Sequence, residues 1–198
     1  MAGCSLSKGR GYFCAGSVGG IKKVYLAYYH GAEAITKVET DSTTNFGRVT
    51  DVTTKGGGSL EFFEFDLDRQ MSSFNQTILT GKGGAVAYQT ELELHMSHDS
   101  EESWMRMQEV AEGLFQVFVE DNNGVFYLAG VENGIECTGG SYAHGGDVAY
   151  TDYVGYVVNL TGAEPLPAFN FGSTTSPFQA YTSGTLTLSA SQYNTPQV

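Results

Sequence analysis

Four histidines, three cysteines and a few closely spaced glutamates are the residues of this chain best suited to chemistry. His95 and His98 lie close together, with His30 and His144 elsewhere. A zinc site draws on several Cys, His or carboxylate ligands at defined spacing, and no such pattern surrounds any of the four. Exposed surface histidines are the simpler reading, and no metal site is expected. Cys4, Cys14 and Cys137 form no CxxC pair. An odd count without a secretory leader makes a poor disulfide framework, so small buried residues are expected. Glu61, Glu64, Glu91 and Glu93 contain pairs of the kind a glycosidase places across its scissile bond. Here they recur at i, i+2 or i+3 on strands, where acids are the ordinary solvent face. There is no GxSxG, no P-loop and no GxGxxG before a helix; "GSVGG" at 16–20 precedes a strand, the wrong context for a phosphate cradle. Asn75 and Asn159 each open an Asn-X-Thr triplet, which has meaning only in a secreted chain. The expectation is a protein that is not an enzyme, with no catalytic residue and no cofactor.

Charge narrows the partners. The 198 residues carry 22 acids against 10 bases, a formal net charge of -12, and the acids are dispersed. Such a surface repels polyanions, and no basic patch is present to neutralise phosphates. Ordinary nucleic-acid recognition is disfavoured; a wall that must let DNA pass without holding it is not. An apolar fraction of 41% is enough for a core. No apolar run approaches the roughly 18 residues that would span a bilayer. The first residues, Met1-Ala2-Gly3-Cys4-Ser5-Leu6-Ser7-Lys8, hold no apolar stretch of the kind a signal peptide needs, so folding in a cytoplasm is expected.

The elements that must position these residues are mostly strands. Residues 1–20 read as a Gly/Ser-rich arm. "IKKVYLAYYHG" (21–31) is rich in β-branched and aromatic residues and predicts a strand. Weaker strands follow, then a loop at Gly56-Gly57-Gly58. "SLEFFEFDLD" (59–68) predicts another strand, whose slip at Phe62-Phe63 implies a bulge or burial on both faces. A helix is predicted over about 99–113. Asp99 is its N-cap and Glu102 completes a capping box; Trp104, Met107, Ala111 and Leu114 share a face beside Val110, and Gly113 ends it in the left-handed conformation. "LFQVFVE" and "VFYLAGV" flank Asp121-Asn122-Asn123-Gly124, a hairpin signal. Residues 141–152 read as a loop, 153–162 as a strand, and 171–198 as a Ser/Thr-rich extension with one strand at 185–191. The fold class is mainly β: a β-barrel or two-sheet β-sandwich over residues 21–170, with one flanking helix and a long protruding hairpin at about 72–96.

That hairpin is the distinctive element. Phe74, Gln76, Ile78 and Thr80 share one face of its first arm; Val86, Tyr88, Leu92, Leu94 and Met96 share one face of its second. A strand from Ala85 to Ser97 would span roughly 43 Å at about 3.3 Å per residue, while a chain of this length folds to about 40 Å across. The base, with Leu92, Leu94 and Met96, is expected in the core, and the tip, nearly free of large apolar groups, beyond the body. The reading assigns contact with a neighbouring subunit or ring to Asn75-Gln76-Thr77-Ile78-Leu79-Thr80, the turn Gly81-Lys82-Gly83-Gly84, and Ala85-Val86-Ala87-Tyr88-Gln89.

The order of elements resembles the tail tube proteins of tailed bacteriophages and the related tubes of contractile injection systems. The likeness is carried by "SFNQTILTGKGGAVAYQTELELHM", the helix "SEESWMRMQEVAEG", the pair "LFQVFVEDNNGVFYLAG" and the late "DYVGYVVNLTGAEPLPAF". The opening "CSLSKGRGYFCAGSVGGIKKVYLAYY" is similar to the starts of such proteins, and the resemblance covers about residues 10–170. It implies a structural virion protein whose hexameric rings stack into a hollow conduit for DNA ejection. Its implied partners are further copies of itself, baseplate and tail terminator proteins and, in some tails, a sheath; no membrane is involved. It implies assembly in the host cytoplasm and a place in the virion tail, and carries over no catalytic residue. An acidic or neutral lumen is expected, with Glu61, Glu64, Glu91 and Glu93 as candidate lining residues. Two alternatives stay open: another tail component of similar fold, such as a tail-end or baseplate hub protein, and a small β-sandwich that binds glycans through its aromatics.

Overall fold

The computed structural model describes residues 19–41, 48–68, 71–81, 83–97, 101–144, 154–172 and 176–189, without the side chains of 101–104 and 144. The arm at 1–18, the Asp99 cap, His98, the Trp104 side chain and the end of the chain beyond Ser189 lie outside the described residues.

The chain is mainly β; among the described residues there is one helix, and the sheets are open rather than closed into a barrel. The strands are β1 (Ile21–Tyr28), β2 (Ile35–Thr40), β3 (Val49–Thr54), β4 (Ser59–Asp66), β5 (Ser73–Thr80) and β6 (Val86–Ser97). Helix α1 (Glu101–Glu112) follows. Then come β7 (Leu114–Asp121), β8 (Phe126–Ala129), β9 (Ile135–His144), β10 (Val154–Glu164), β11 (Phe169–Gly172), β12 (Ala180–Tyr181) and β13 (Gly184–Leu188). The large sheet runs β12-β13-β4-β1-β7-β9-β10-β6-β5 and branches at β7. The first two residues of β7 pair with β9, while Val117–Glu120 pair with β8. That fork folds one continuous ladder into two packed layers.

Two cores result. Val24 and Leu26 on β1, with Phe115, Val117 and Val119 on β7, face Leu92 and Leu94 on β6 and Val158 and Leu160 on β10. Tyr25, Ala27 and Phe118 point the other way, into a second core beneath the β2–β3 ribbon, with Ile35, Val52, Phe62 and Leu186. Strands β1 and β7 are thus buried on both faces, which is why their sequences read as apolar runs rather than alternations. The Phe62-Phe63 slip has a different origin: Phe62 is fully buried in the second core, Phe63 faces the opposite way and is exposed, and the β1–β4 register runs unbroken from Lys23↔Asp66 to Leu26↔Phe63. There is no bulge.

Three local readings are corrected. Gly113 is not among the glycines with positive φ; a side chain there would overlap the Phe115 ring, so close packing requires this glycine, not a left-handed cap. Leu114 opens β7 instead of continuing the helical face, and Ala111 is exposed; Val110 and Met107 are the described side chains that α1 packs inward. Ser141–His144 belong to β9 and pair with Val154–Val157, with Tyr142 stacked on Tyr156. Near the expected strand at 185–191, β13 pairs in parallel with β4, and the Phe178 ring packs against Tyr25, Phe62, Phe118 and Phe126.

Candidate functional site

The hairpin is built by local pairing. Eight β5–β6 pairs run without a register shift from Ser73↔Glu93 to Thr80↔Val86, and Gly81 N donates to Ala85 O at 2.8 Å to close the turn. Gly83 and Gly84 adopt φ of 100° and 82°, values an L side chain resists. On its other side β6 pairs with β10 from Ser97↔Gly155 to Tyr88↔Glu164. Beyond Tyr88 β6 has β5 alone as a ladder partner, so the segment that projects is shorter than the sequence implied. Asn75, Gln76, Thr77 and Ile78 on β5, with Tyr88 and Gln89 on β6, lie within the three-strand ladder. Gln76 Nε2 donates to Thr90 Oγ1 at 3.1 Å, and its Oε1 accepts from Ala168 N at 3.3 Å.

The tip carries apolar side chains, contrary to expectation. Ile78 is 61% exposed, Val86 48% and Leu79 41%. Cross-strand pairing places Phe74 opposite Leu92, Gln76 opposite Thr90, Ile78 opposite Tyr88 and Thr80 opposite Val86, all on one face. The row that fills the core at the base therefore continues past the end of the core into solvent. Leu79, opposite Ala87, lies on the reverse face. Along its outer side β5 is an edge strand, and its sequence, SFNQTILT, contains no charge and no proline. Natural edges are commonly blunted by exactly those residue types or by a bulge.

The acidic candidates separate. Glu91 and Glu93 stand together on the outer face of the β5–β6–β10 layer, opposite Leu92 and Leu94. Ladder pairing surrounds them with Ser73 and Asn75 on β5 and Asn159 and Thr161 on β10. The same six side chains, with Leu92, line a shallow cavity of about 170 Å³. His95 Nε2 lies 3.2 Å from Glu93 Oε1 on this face. Glu61 and Glu64 belong to the other layer and point to opposite sides of β4: Glu61 with Phe63 and Phe65, Glu64 with Phe62. Glu64 is engaged by Lys23, which also reaches Asp66 at 3.2 Å. The hydrogen bond that Lys23 donates to Glu64 is the largest cause that raises the ammonium above its ordinary range, against the opposing effect of burial.

Other polar groups that the sequence did not single out are engaged, some of them buried. Glu164 is buried and accepts from the backbone N–H of Gly130 at 3.1 Å, Glu132 at 2.7 Å and Asn133 at 3.4 Å. Glu33 accepts from Gly56 N at 3.2 Å and Gly58 N at 2.8 Å, and a side chain at either glycine would meet its carboxylate. Tyr25 Oη donates to Glu120 at 2.9 Å; burial first, and this bond second, push the phenol well above its ordinary range. Cys137, expected to be buried, is half-buried, and its Sγ donates to Gly139 O at 3.4 Å.

No family model, no curated protein and no solved structure matches this chain. Among the described residues no helix is long and apolar enough to cross a membrane, and no group of three His, Cys, Asp or Glu could hold a metal ion. What the geometry offers is a surface for association: an uncharged edge strand, an apolar tip carried beyond the body, and an acidic polar sheet face.

Proposed function

We propose that this chain is a self-assembling structural subunit, forming stacked rings that build the tail tube of a tailed bacteriophage, with DNA passing through the bore. The observation that carries the reading is the core-type row that leaves the core: Ile78 and Val86 continue the inward face of Phe74 and Leu92 into solvent. Exposing them costs about 25 cal/mol per Å² of apolar area relative to burial, and a second protein surface removes that cost. The uncharged β5 edge supplies a row of backbone donors and acceptors that a neighbour's strand can satisfy. A tip at one place and its seat at another make a heterologous contact, which generates rings where the rotation closes and filaments where it does not. The Glu91–Glu93 face suits the bore. Duplex DNA carries about one charge per 1.7 Å of axis, so an acidic wall repels it where a basic wall would grip it.

Replacing residues 77–88 by a short turn tests the reading. The shortened chain should fold, because the β10 ladder and both cores remain, and should fail to grow tubes. Tubes of normal length and stability from the shortened chain would overturn it.

A further inference from the structure

We infer that Asn123 is a site of spontaneous deamidation, and that its conversion loosens a clasp on the start of β1. The chain has two Asn-Gly steps, Asn123-Gly124 and Asn133-Gly134. At such a step the backbone nitrogen of the glycine attacks Cγ of the preceding asparagine. An N–C bond forms, the nitrogen gives up its proton, and the side-chain amide leaves as ammonia. Water then opens the five-membered imide at one carbonyl or the other, to give aspartate or isoaspartate. Glycine favours the reaction because it has no Cβ to shield its nitrogen or restrict its backbone.

The structure separates the two steps. Asn123 is exposed, in the hairpin turn between β7 and β8. The bonds that shape this turn lie within it: Gly124 N donates to Asp121 O at 3.0 Å, and Asn123 N and Val125 N each donate to Asp121 Oδ1 at 2.8 Å. The turn can therefore open locally, with both cores in place. Apart from its chain neighbours, an added Cβ on Gly124 would meet nothing within 4 Å, so there is room for the ring. Asn133-Gly134 is clamped instead. Gly134 is buried, and a Cβ there would stand 2.7 Å from the Leu114 side chain. Asn133 Nδ2 donates to Ala163 O at 2.7 Å, and the buried Glu164 carboxylate accepts from the N–H groups of Gly130, Glu132 and Asn133. Ring closure at Asn133 must break contacts with both β7 and β10.

The reactive turn also holds the entry to β1. Asn122 N donates to Gly20 O at 3.2 Å and its Nδ2 to Gly19 O at 2.8 Å, just ahead of the Ile21↔Asp121 pair. Before reaction, Asn123 Nδ2 donates to Asp121 Oδ2 at 3.1 Å. Deamidation replaces that donor with a second carboxylate beside Asp121, and like charges so close repel. Isoaspartate also adds one atom to the main chain between residues 123 and 124, which spoils the Gly124–Asp121 bond. Both products draw Asn122 away from Gly19 and Gly20.

The test holds folded full-length protein in mildly alkaline buffer and follows its peptides by mass spectrometry. Asn123 should convert to aspartate and isoaspartate at least about tenfold faster than Asn133, the ratio that a difference of about 1.4 kcal/mol in local opening gives. In denaturant that gap should close. In the converted fraction, and in Asn123→Asp, amide exchange at Asn122 should be faster than in the natural chain, with exchange at Phe118 in the middle of β7 unchanged. Equal rates at the two sites in folded protein, a gap that persists in denaturant, or no conversion at Asn123 while the denatured chain reacts, overturns the site. Unchanged exchange at Asn122 overturns the loosened clasp.

Discussion

The side chain of Gln116 grips the backbone of Ile35 at both ends. Its Oε1 accepts from Ile35 N at 2.8 Å and its Nε2 donates to Ile35 O at 2.7 Å. Gln116 is 0% exposed and Ile35 2%. One side-chain amide thus acts as a strand partner and fastens the start of the β2–β3 ribbon to the middle of the central sheet.

Gln116→Leu should therefore destabilise the fold out of proportion to its change in volume. It strands a buried N–H and a buried C=O, each worth about 1–3 kcal/mol unsatisfied. Urea unfolding should show a loss of about 2–6 kcal/mol. A loss below about 0.5 kcal/mol would mean that the ribbon is held by packing alone.

Glu164→Ala should free the turn at Gly130–Asn133. Three backbone N–H groups lose their shared acceptor, and hydrogen bonds to a charged group contribute about 1.5–3 kcal/mol each. Faster amide exchange is expected at Gly130 and Glu132, ahead of the rest of the sheet. Unchanged protection there would contradict the assignment.

Tyr25 predicts a loss of stability in alkali. Its ordinary value is 10.0 and the folded value is raised, so above pH 10 the unfolded chain releases a proton that the folded chain retains. Stability is fully present below that pH and falls as pH rises, by up to about 1.4 kcal/mol per pH unit for one such group. Lys23, raised from 10.5, contributes with the same sign. Tyr25→Phe should unfold with a shallower pH dependence between pH 10 and pH 11. An identical slope would show that Tyr25 titrates alike in both states.

The acidic face makes a prediction about DNA. Assembled natural protein should not retain duplex DNA, whereas Glu91→Lys with Glu93→Lys should bind it once assembled, with affinity that falls steeply as salt is raised. Binding by the natural assembly, or none by the variant, would remove this face from the bore.

The sequence was most legible where one face of a strand is buried and the other is not. Strand β6 alternates through Leu92 and Leu94 because water lies behind it, and its inward row was read correctly. Strand β9 was misread at Ser141–His144 because Gly139 and Gly140 precede that stretch and few β-branched residues mark it; its place comes from β10 and from the Tyr142–Tyr156 stack. The parallel pairing of Thr185 with Ser59 spans most of the chain and leaves no local signature. Gln116 did leave one: a lone amide in "LFQVFVE" must find partners if that strand is buried on both faces. At the association surface, the alternation located the hairpin and its face. The exposure of Leu79 and Val86 depended on where β10 stops, which is not encoded within a short window.

The central claim is that this chain builds tubes through its own contacts. Electron microscopy of the purified protein over a wide concentration range, with sedimentation velocity on the same samples, tests it most directly. The account predicts rings that give way to tubes of uniform bore as concentration rises or an initiating complex is added. A monodisperse monomer at every concentration, with and without such a complex, would contradict it.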